Sequence, residues 1–151
     1  QEAQTVMASL NQKAKRAADR CCISACTDIT GFGLLGHCAE MASASGVTFE
    51  LKVNDIAYFQ DAVEYAKMGL VPAGTYKNRG YSIGSVDAQG IEEFYLDLLY
   101  DPQTSGGLLL SVAREDLGTL LSELKASGID TAVSVIGSVA PESDKLIRLL
   151  K

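Results

Sequence analysis

Two short segments of the sequence carry residue types that phosphate and metal chemistry use. Residues 25–37 read ACTDITGFGLLGH, in which Asp28 precedes a glycine-rich turn. Residues 101–107 read DPQTSGG, in which two hydroxyl side chains stand before two glycines. Glycine lets the backbone approach a ligand closely, and N–H and O–H groups are donors to oxyanions. Both segments are therefore candidates for a site that binds phosphate groups.

Asp28 is the candidate metal ligand. Residues 22–26 have the pattern of a short strand, which puts Asp28 at its carboxyl end, where ligands bind in α/β sheets. A helix start after the turn offers free N–H groups to an anion. Mg²⁺ prefers hard oxygen ligands, commonly one or two carboxylates with phosphates and water. By spacing alone two interpretations stay open: a cation site at Asp28, or a helix cap made by Asp28 or Thr30.

The other candidate segments are less specific. Residues 101–107 fit an oxyanion-holding loop and an ordinary turn before a strand equally well. Residues 74–80 read GTYKNRG and combine glycines, donors and two cations, as phosphate-contacting loops do and as exposed loops also do. Residues 25–37 are not a P-loop, because no Gly-Lys-Ser/Thr sequence follows.

The cysteines and the single histidine do not predict a metal site. Two of the four cysteines, Cys22 and Cys26, would lie about 13 Å apart in a strand that rises about 3.3 Å per residue. One zinc ion with Zn–S bonds of about 2.3 Å cannot bind both. We expect the cysteines to be small buried hydrophobic residues in a reducing compartment, the cytoplasm. For His37 we expect a packing or cap-proximal role.

The hydrophobic pattern predicts interleaved helices and strands. Helices are predicted over residues 6–18, from 34 to a stop at Gly46, over 56–70, and over 117–124 with closure at Gly128. Strands are predicted over 22–28, 47–53, 131–139 and 146–150, the last two as a possible hairpin, and over 108–112 as a strand covered on both faces. Residues 71–91 read as a long loop with a possible short strand at 81–83, and residues 92–100 fit a strand or a helix. The expected fold is an α/β (α+β) sandwich with a mixed sheet flanked by helices.

Bulk properties set further limits. The 151 residues suit one domain, and the net charge of -6 disfavours binding to nucleic acid. No apolar run approaches the roughly 20 residues that span a bilayer, so no membrane association is expected. The chain begins with Gln1 instead of Met, from which we expect a fragment of a longer protein. An early basic cluster is either a solvated helix face or a positive edge beside a phosphate site; its members are Lys13, Lys15, Arg16 and Arg20.

The two main motifs resemble those of selenophosphate synthetases (selenide, water dikinases). Residues 25–37 resemble one family motif, and residues 99–109, LYDPQTSGGLL, resemble a second in the same order. Residues 74–79 resemble a segment between them, so the resemblance covers essentially the whole chain. The family belongs to the aminoimidazole-ribonucleotide-synthetase-like superfamily, whose members have two α/β domains with ATP bound in the cleft.

The resemblance implies that residues 1–151 are the C-terminal domain and that the N-terminal ATP-binding and catalytic domain is absent from this chain. It implies an enzyme that converts selenide, ATP and water to selenophosphate, AMP and phosphate, requires Mg²⁺ and forms a homodimer when full-length. Asp28 matches the family's metal-binding aspartate. No catalytic residue is expected here, because the family's nucleophilic Cys or selenocysteine lies in the N-terminal domain. The implied cleft-lining residues are Thr104, Ser105, Gly106 and Gly107.

Two alternatives stay open. A sister ATP-dependent enzyme of the superfamily, such as a thiamine-monophosphate kinase or a hydrogenase-maturation carbamoyl dehydratase, is disfavoured by residues 101–107. A non-catalytic paralogue or interaction domain is not excluded by this chain, because the features that would distinguish it lie upstream.

Overall fold

Residues 2–151 are described by a computed structural model in which helices and strands interleave. The helices are α1 (Glu2–Ala8), α2 (Gln12–Ala18), α3 (Gly33–Ser45), α4 (Gln60–Lys67), α5 (Ala73–Ser82), α6 (Glu93–Leu99) and α7 (Leu117–Ala126). The strands are β1 (Ile23–Asp28), β2 (Val47–Lys52), β3 (Val86–Asp87), β4 (Leu108–Val112), β5 (Gly137–Pro141) and β6 (Ile147–Leu150). Within these described residues, no helix is both long enough and apolar enough to cross a bilayer.

The strands form two sheets. β1 and β4 pair antiparallel as a two-stranded ribbon, and the larger sheet has the order β3-β6-β2-β5. In the larger sheet β2 is parallel to β6 and antiparallel to β5. Helices pack against this sheet, which confirms the predicted mixed sheet flanked by helices.

Helix α3 is the central element, because it contacts both β1 of the ribbon and β2 of the larger sheet. Its side chains Leu35, Cys38 and Ala42 are fully buried and pack with the larger sheet in the main core. Complete burial of a leucine side chain contributes about 2 kcal/mol. The helix ends at Gly46, whose φ of 62° is the left-handed conformation that a helix C-cap favours. The predicted helix and its stop are confirmed.

The ribbon lies between two apolar clusters. Ala25 and Leu109 pack against the main core, whereas Leu110 and Val112 pack against a second cluster formed with α2 and α7. The predicted strand over residues 108–112, covered on both faces, is therefore confirmed. Its side chains are only partly buried, because each cluster covers a single side of a narrow ribbon.

The single helix predicted over residues 6–18 is wrong, because the chain breaks between α1 and α2. Ser9 donates its hydroxyl to the Thr5 carbonyl at 3.1 Å, a local bond that competes with helix continuation. Asn11 then begins the next helix by accepting the Lys15 N–H. Leu10, predicted on the buried stripe, is 82% exposed at the break.

The long loop predicted over residues 71–91 is also wrong. It contains α5, followed by a 3-10 turn at Ile83–Ser85 and by β3, and residues 81–83 are not a strand. Polar composition concealed this helix, which is stabilised by packing on α3 and α6. The ambiguous residues 92–100 are helical as α6, so the strand alternative is excluded.

The predicted terminal hairpin does not form, because β5 and β6 lie on opposite sides of β2. The reason lies in the turn that joins them. Thr48, buried at the start of β2, accepts the Ser143 N–H at 3.0 Å and donates to the Lys145 carbonyl at 2.8 Å. These bonds hold the turn over the start of β2, so the chain crosses from one edge of β2 to the other. Residues 131–136, predicted as part of a strand, precede β5 without strand pairing.

We predict that Gly137→Ala strongly destabilises the fold. A Cβ at this position would collide with the Glu50 carbonyl of the paired strand β2, and backbone cannot yield as a flexible side chain does. The expected loss is about 3 kcal/mol in the free energy of unfolding, measured by urea denaturation.

The matched control is Gly118→Ala in α7, where a Cβ would have no neighbour within 4 Å. That change should be neutral or should stabilise the chain by up to about 1 kcal/mol, because alanine favours helix. Equal stability of the two variants would contradict the assigned pairing of β2 with β5.

Candidate functional site

The structure brings the two main sequence motifs together at one end of the ribbon. Asp28 is the last residue of β1 and lies opposite Leu108, the first residue of β4. The loop of residues 101–107 leads directly into β4, so it arrives beside Asp28. The Asp28 side chain is exposed. The predicted position of this carboxylate, at the carboxyl end of a strand and next to a turn, is confirmed.

Three backbone hydrogen bonds tie the motifs together past the last ladder pair. The Ile29 N–H donates to the Gly107 carbonyl at 2.9 Å, and the Gly106 N–H donates to the Ile29 carbonyl at 2.8 Å. The Gln103 N–H donates to the Thr30 carbonyl at 3.1 Å. The loop of residues 101–107 is therefore an extension of the ribbon with a fixed backbone.

Two glycines permit this close approach. Gly33, with φ of 70°, begins α3 so near Tyr100 that a Cβ would lie 2.7 Å from the Tyr100 carbonyl carbon. A Cβ on Gly106 would lie 2.9 Å from the Ile29 carbonyl oxygen. Both glycines let two backbone segments of this chain pack closely. The sequence analysis considered glycine only as a residue that lets a ligand approach. Gly31 and Gly107 have open space around them.

The third segment, residues 74–80, lies in α5 and clamps the other two. The Asn78 side chain donates to the Gly31 carbonyl at 2.8 Å and to the Tyr100 carbonyl at 3.0 Å. Gly74 packs so tightly on Pro102 that a Cβ would lie 2.9 Å from the proline ring. The sequence analysis missed this role for Asn78. An asparagine inside a helix, where its propensity is poor, was the available signal.

Arg79 does not face the Asp28 site. It forms a bidentate ion pair with Glu93 of α6 and lies 3.9 Å from Asp97. The hydrogen bond from Arg79 lowers the pKa of the Glu93 carboxyl. Burial raises the pKa of the Asp97 carboxyl, Glu93 adds to the rise, and Arg79 opposes it. Arg79 therefore joins α5 to α6, and the interpretation of this cation as a phosphate contact is not supported.

The glycine turn after Asp28 is held by His37. Both the N–H and the hydroxyl of Thr30 lie at hydrogen-bond distance from His37 Nε2, at 3.1 and 3.0 Å. His37 Nδ1 lies 3.2 Å from the Glu40 carboxylate. Among the described residues, 2–151, no side chain caps the amino end of α3, so the alternative in which Asp28 or Thr30 caps the helix is wrong. Glu40 follows His37 at a spacing of three, which brings side chains together on a helix and was a signal available from the sequence.

The predicted cleft-lining residues lie on the exposed part of the loop. Thr104, Ser105 and Gly106 are exposed and Gly107 is half-buried. Ser105 has φ of 63°, a conformation that costs a non-glycine residue about 1 kcal/mol. Over residues 2–151, neither loop hydroxyl has a hydrogen-bond partner in the protein, so both are available to a ligand.

Asp101 stiffens the start of this loop and does not point to solvent as Asp28 does. Gln103 donates to its carboxylate at 2.6 Å. Burial raises the pKa of the Asp101 carboxyl, and the hydrogen bond from Gln103 opposes the rise. The Asp101–Gln103 pair is a turn lock within the loop.

The cysteines only partly match the prediction that they are buried. Cys38 is buried in the main core, and burial raises its thiol pKa to about 12, but Cys22 and Cys26 are exposed. Cys22 precedes β1, and Cys26 is one of the exposed residues that alternate along β1. Partial burial raises the pKa of the Cys26 thiol, and the nearby Asp28 carboxylate raises it further. Cys26 thus lacks the lowered pKa of an activated nucleophile.

Most of the early basic cluster pairs within the domain. Lys13 donates to the Gly128 carbonyl after α7, and Lys15 pairs with Asp19 at 2.8 Å. Arg20 pairs with Glu123 at 2.6 Å. This supports the solvated-face interpretation over a positive edge reserved for phosphate.

The residues around Asp28 suit one part of a Mg²⁺ site and do not form a complete site. Within residues 2–151, no cation forms an ion pair with Asp28, and no three His, Cys, Asp or Glu side chains are grouped to hold a metal ion. The domain offers one exposed hard oxygen ligand. This suits Mg²⁺, which usually keeps several waters and takes one or two carboxylates with phosphates.

Comparison with known proteins places this chain in a family. Residues 1–148 match the family model described as AIR synthase related protein, C-terminal domain. The chain is 45% identical over 142 residues to selenide, water dikinase 2 of Peptoclostridium acidaminophilum, covering 94% of this chain and 41% of that protein. It is 44% identical over 146 residues to selenide, water dikinase of Clostridioides difficile (strain 630), covering 96% and 42%. The chain thus spans about two fifths of the length of these relatives.

We predict that Asn78→Leu loosens the site by removing the clamp between the motifs. Two carbonyls lose their donor, so the free energy of unfolding should fall by about 2 kcal/mol in urea denaturation. The neighbouring exposed residue provides the control, Lys77→Ala, which should change stability by less than about 0.5 kcal/mol. Indistinguishable losses in the two variants would contradict the clamp.

Proposed function

Because the chain belongs to the family of AIR synthase related proteins, as the C-terminal domain, we propose that it is the C-terminal domain of a selenide, water dikinase. The enzyme converts selenide, ATP and water to selenophosphate, AMP and phosphate. The observation that carries the proposal is the meeting of residues 25–37 and 101–107 around one exposed carboxylate, in a chain that is 41–45% identical to proteins of that name. The N-terminal domain, with the nucleophile and most ATP contacts, is the proposed partner of this one.

Asp28 is the proposed metal ligand of this domain. Phosphoryl transfer depends mainly on positioning and on neutralising the charge of the phosphates. A bound Mg²⁺ supplies that neutralisation on the polyphosphate. Asp28 is suited to hold it, since its carboxylate is exposed, has no ion-pair partner among residues 2–151, and lies on a strand whose backbone is fixed by β4.

The loop and the helix start are proposed to form one wall of the nucleotide cleft. Thr104 and Ser105 offer free hydroxyls, and Gly106 and Gly107 leave the backbone accessible. The uncapped amino end of α3 adds N–H groups and a partial positive charge, both favourable to a phosphate oxygen. All three features lie beside Asp28, where the phosphates are proposed to bind.

Several parts of the proposal concern the full-length enzyme. We propose that it is a homodimer and that this domain contributes no catalytic nucleophile, in keeping with the raised thiol pKa of Cys26. The cytoplasmic location inferred from the cysteines remains a prediction. A selenide-dependent AMP assay of the full-length protein separates this function from a sister ATP-dependent enzyme and from a non-catalytic paralogue, since neither alternative forms AMP in response to selenide.

We predict that the isolated chain binds Mg-ATP weakly. A single exposed carboxylate holds Mg²⁺ poorly without further ligands from protein or phosphate. Isothermal titration of residues 1–151 with Mg-ATP should show no saturation below the millimolar range. Micromolar binding would contradict the division of the site between two domains.

We predict that Asp28→Asn in the full-length enzyme lowers selenide-dependent AMP formation by about 10–100-fold, because the amide loses the charge that holds the metal. The unfolding midpoint should stay at the wild-type value, since the side chain is exposed and has no ion-pair partner among residues 2–151. The control is Asp130→Asn in the exposed segment after α7, which removes the same charge away from the site. Wild-type turnover in Asp28→Asn would remove this residue from the metal site.

A further inference from the structure

The acceptor role of His37 Nε2 follows from its contact with Thr30. A backbone N–H can only donate, so His37 Nε2, which lies 3.1 Å from the Thr30 nitrogen, must be an unprotonated acceptor. The other ring nitrogen, Nδ1, faces the Glu40 carboxylate at 3.2 Å. The Thr30 N–H therefore selects the tautomer with its hydrogen on Nδ1, the side on which Glu40 lies.

This tautomer determines what the Thr30 hydroxyl can do. The hydroxyl oxygen lies 3.0 Å from Nε2, which carries no hydrogen, so the hydroxyl contributes its own hydrogen to this contact. The Thr30 carbonyl already accepts the N–H groups of Gly33 and Gln103 at 3.0 and 3.1 Å. Every other polar group of Thr30 is thus occupied, and the lone pairs of its hydroxyl oxygen are left to accept a further hydrogen bond.

The surroundings of His37 favour a directed role over simple packing. The residue is only 8% exposed, and the Phe32 ring lies against it with a centroid distance of 5.6 Å. An imidazole that only fills space needs no polar group beside either nitrogen, whereas here Nε2 contacts Thr30 and Nδ1 faces Glu40. One of them holds the residue that stands two positions after Asp28, in the turn between the strand end and α3.

We propose that His37 is a positioning residue for the cation site: with Nε2 fixed as an acceptor, it directs the Thr30 hydroxyl oxygen to act as an acceptor in the turn that follows Asp28. The ligand class is a hydrated divalent cation, whose bound water donates to Thr30 while the carboxylate of Asp28 provides the charge. The inference rests on the proposed function, because it gives the Asp28 site a second oxygen from the same turn.

The test uses the full-length protein and two matched pairs of variants. His37→Leu removes the acceptor, whereas His37→Gln retains an amide oxygen that can accept from Thr30. Thr30→Val removes the hydroxyl with little change of shape, whereas Thr30→Ser retains it. Cation affinity is measured by electron paramagnetic resonance titration of Mn²⁺ in the presence of ATP, because Mn²⁺ accepts the same oxygen ligands as Mg²⁺. Urea denaturation and selenide-dependent AMP formation are measured on the same samples.

His37→Leu and Thr30→Val should weaken Mn²⁺ binding about tenfold, the effect typical of residues that orient metal ligands. His37→Gln and Thr30→Ser should stay within about threefold of the wild type, by the same principle. The exposed Ser122→Ala, remote in α7, should leave affinity and turnover unchanged. Nitrogen-15 shifts of the wild-type histidine should report protonated Nδ1 and bare Nε2.

The inference is overturned if His37→Leu lowers stability but leaves Mn²⁺ affinity unchanged, since His37 would then only support the fold. If His37→Leu does not fold, the Thr30 pair decides, and equal affinities for Thr30→Val and Thr30→Ser overturn the inference. A wild-type protein that forms no AMP with selenide refutes the proposed function instead, while the Mn²⁺ titrations still decide the role of His37.

Discussion

The antiparallel pairing of β1 with β4 sets the position of every group at the site. Because Asp28 lies opposite Leu108, the strand that ends in the carboxylate and the strand that begins after the loop share one edge. The hydrogen bonds between Ile29 and the two loop glycines extend this ladder by one step. A shift of one residue in register would turn Asp28 toward the other side of the ribbon, where Ala25 and Leu109 pack on the main core. The burial of the ribbon's apolar side chains thus fixes the side of the ribbon on which Asp28 lies.

Close packing, and not only ligand access, explains the glycine content of the two motifs. Gly33 and Gly106 lie where any Cβ would meet backbone from the other motif. The Asn78 amide donates to a carbonyl on each side of the same junction. Backbone groups at such a junction cannot pair in a regular ladder, and a buried carbonyl without a donor costs about 1–3 kcal/mol. The Asn78 side chain of α5 therefore completes a set of hydrogen bonds that neither motif can complete alone.

The charges of the domain are arranged so that Asp28 stays free. Arg79, Lys15 and Arg20 each have a carboxylate partner on their own or a neighbouring helix. Over residues 2–151 the carboxylate at the strand end has none. An exposed carboxylate held by rigid backbone and left without a counter-ion suits a ligand that brings its own positive charge. Under the proposed function, the same exposure means that this domain supplies only part of a coordination shell, in line with a chain that spans about two fifths of the length of its relatives.

The sequence by itself determined the elements whose hydrophobic pattern is local. The alternation over residues 47–53, the apolar run over 108–112 and the stop at Gly46 each encode their own structure, because period and backbone preference are properties of a short segment. The location of Asp28 at a strand end followed from the same patterns. Only the tertiary structure decided that residues 73–82 are helical, that β2 separates the two terminal strands, and that His37 and Asn78 hold the site. The helix, the strand order and the role of Asn78 depend on partners from segments distant in the chain, whereas His37 meets Thr30 across a turn of seven residues. A polar side chain gives no sign in the sequence of which of these partners it will meet.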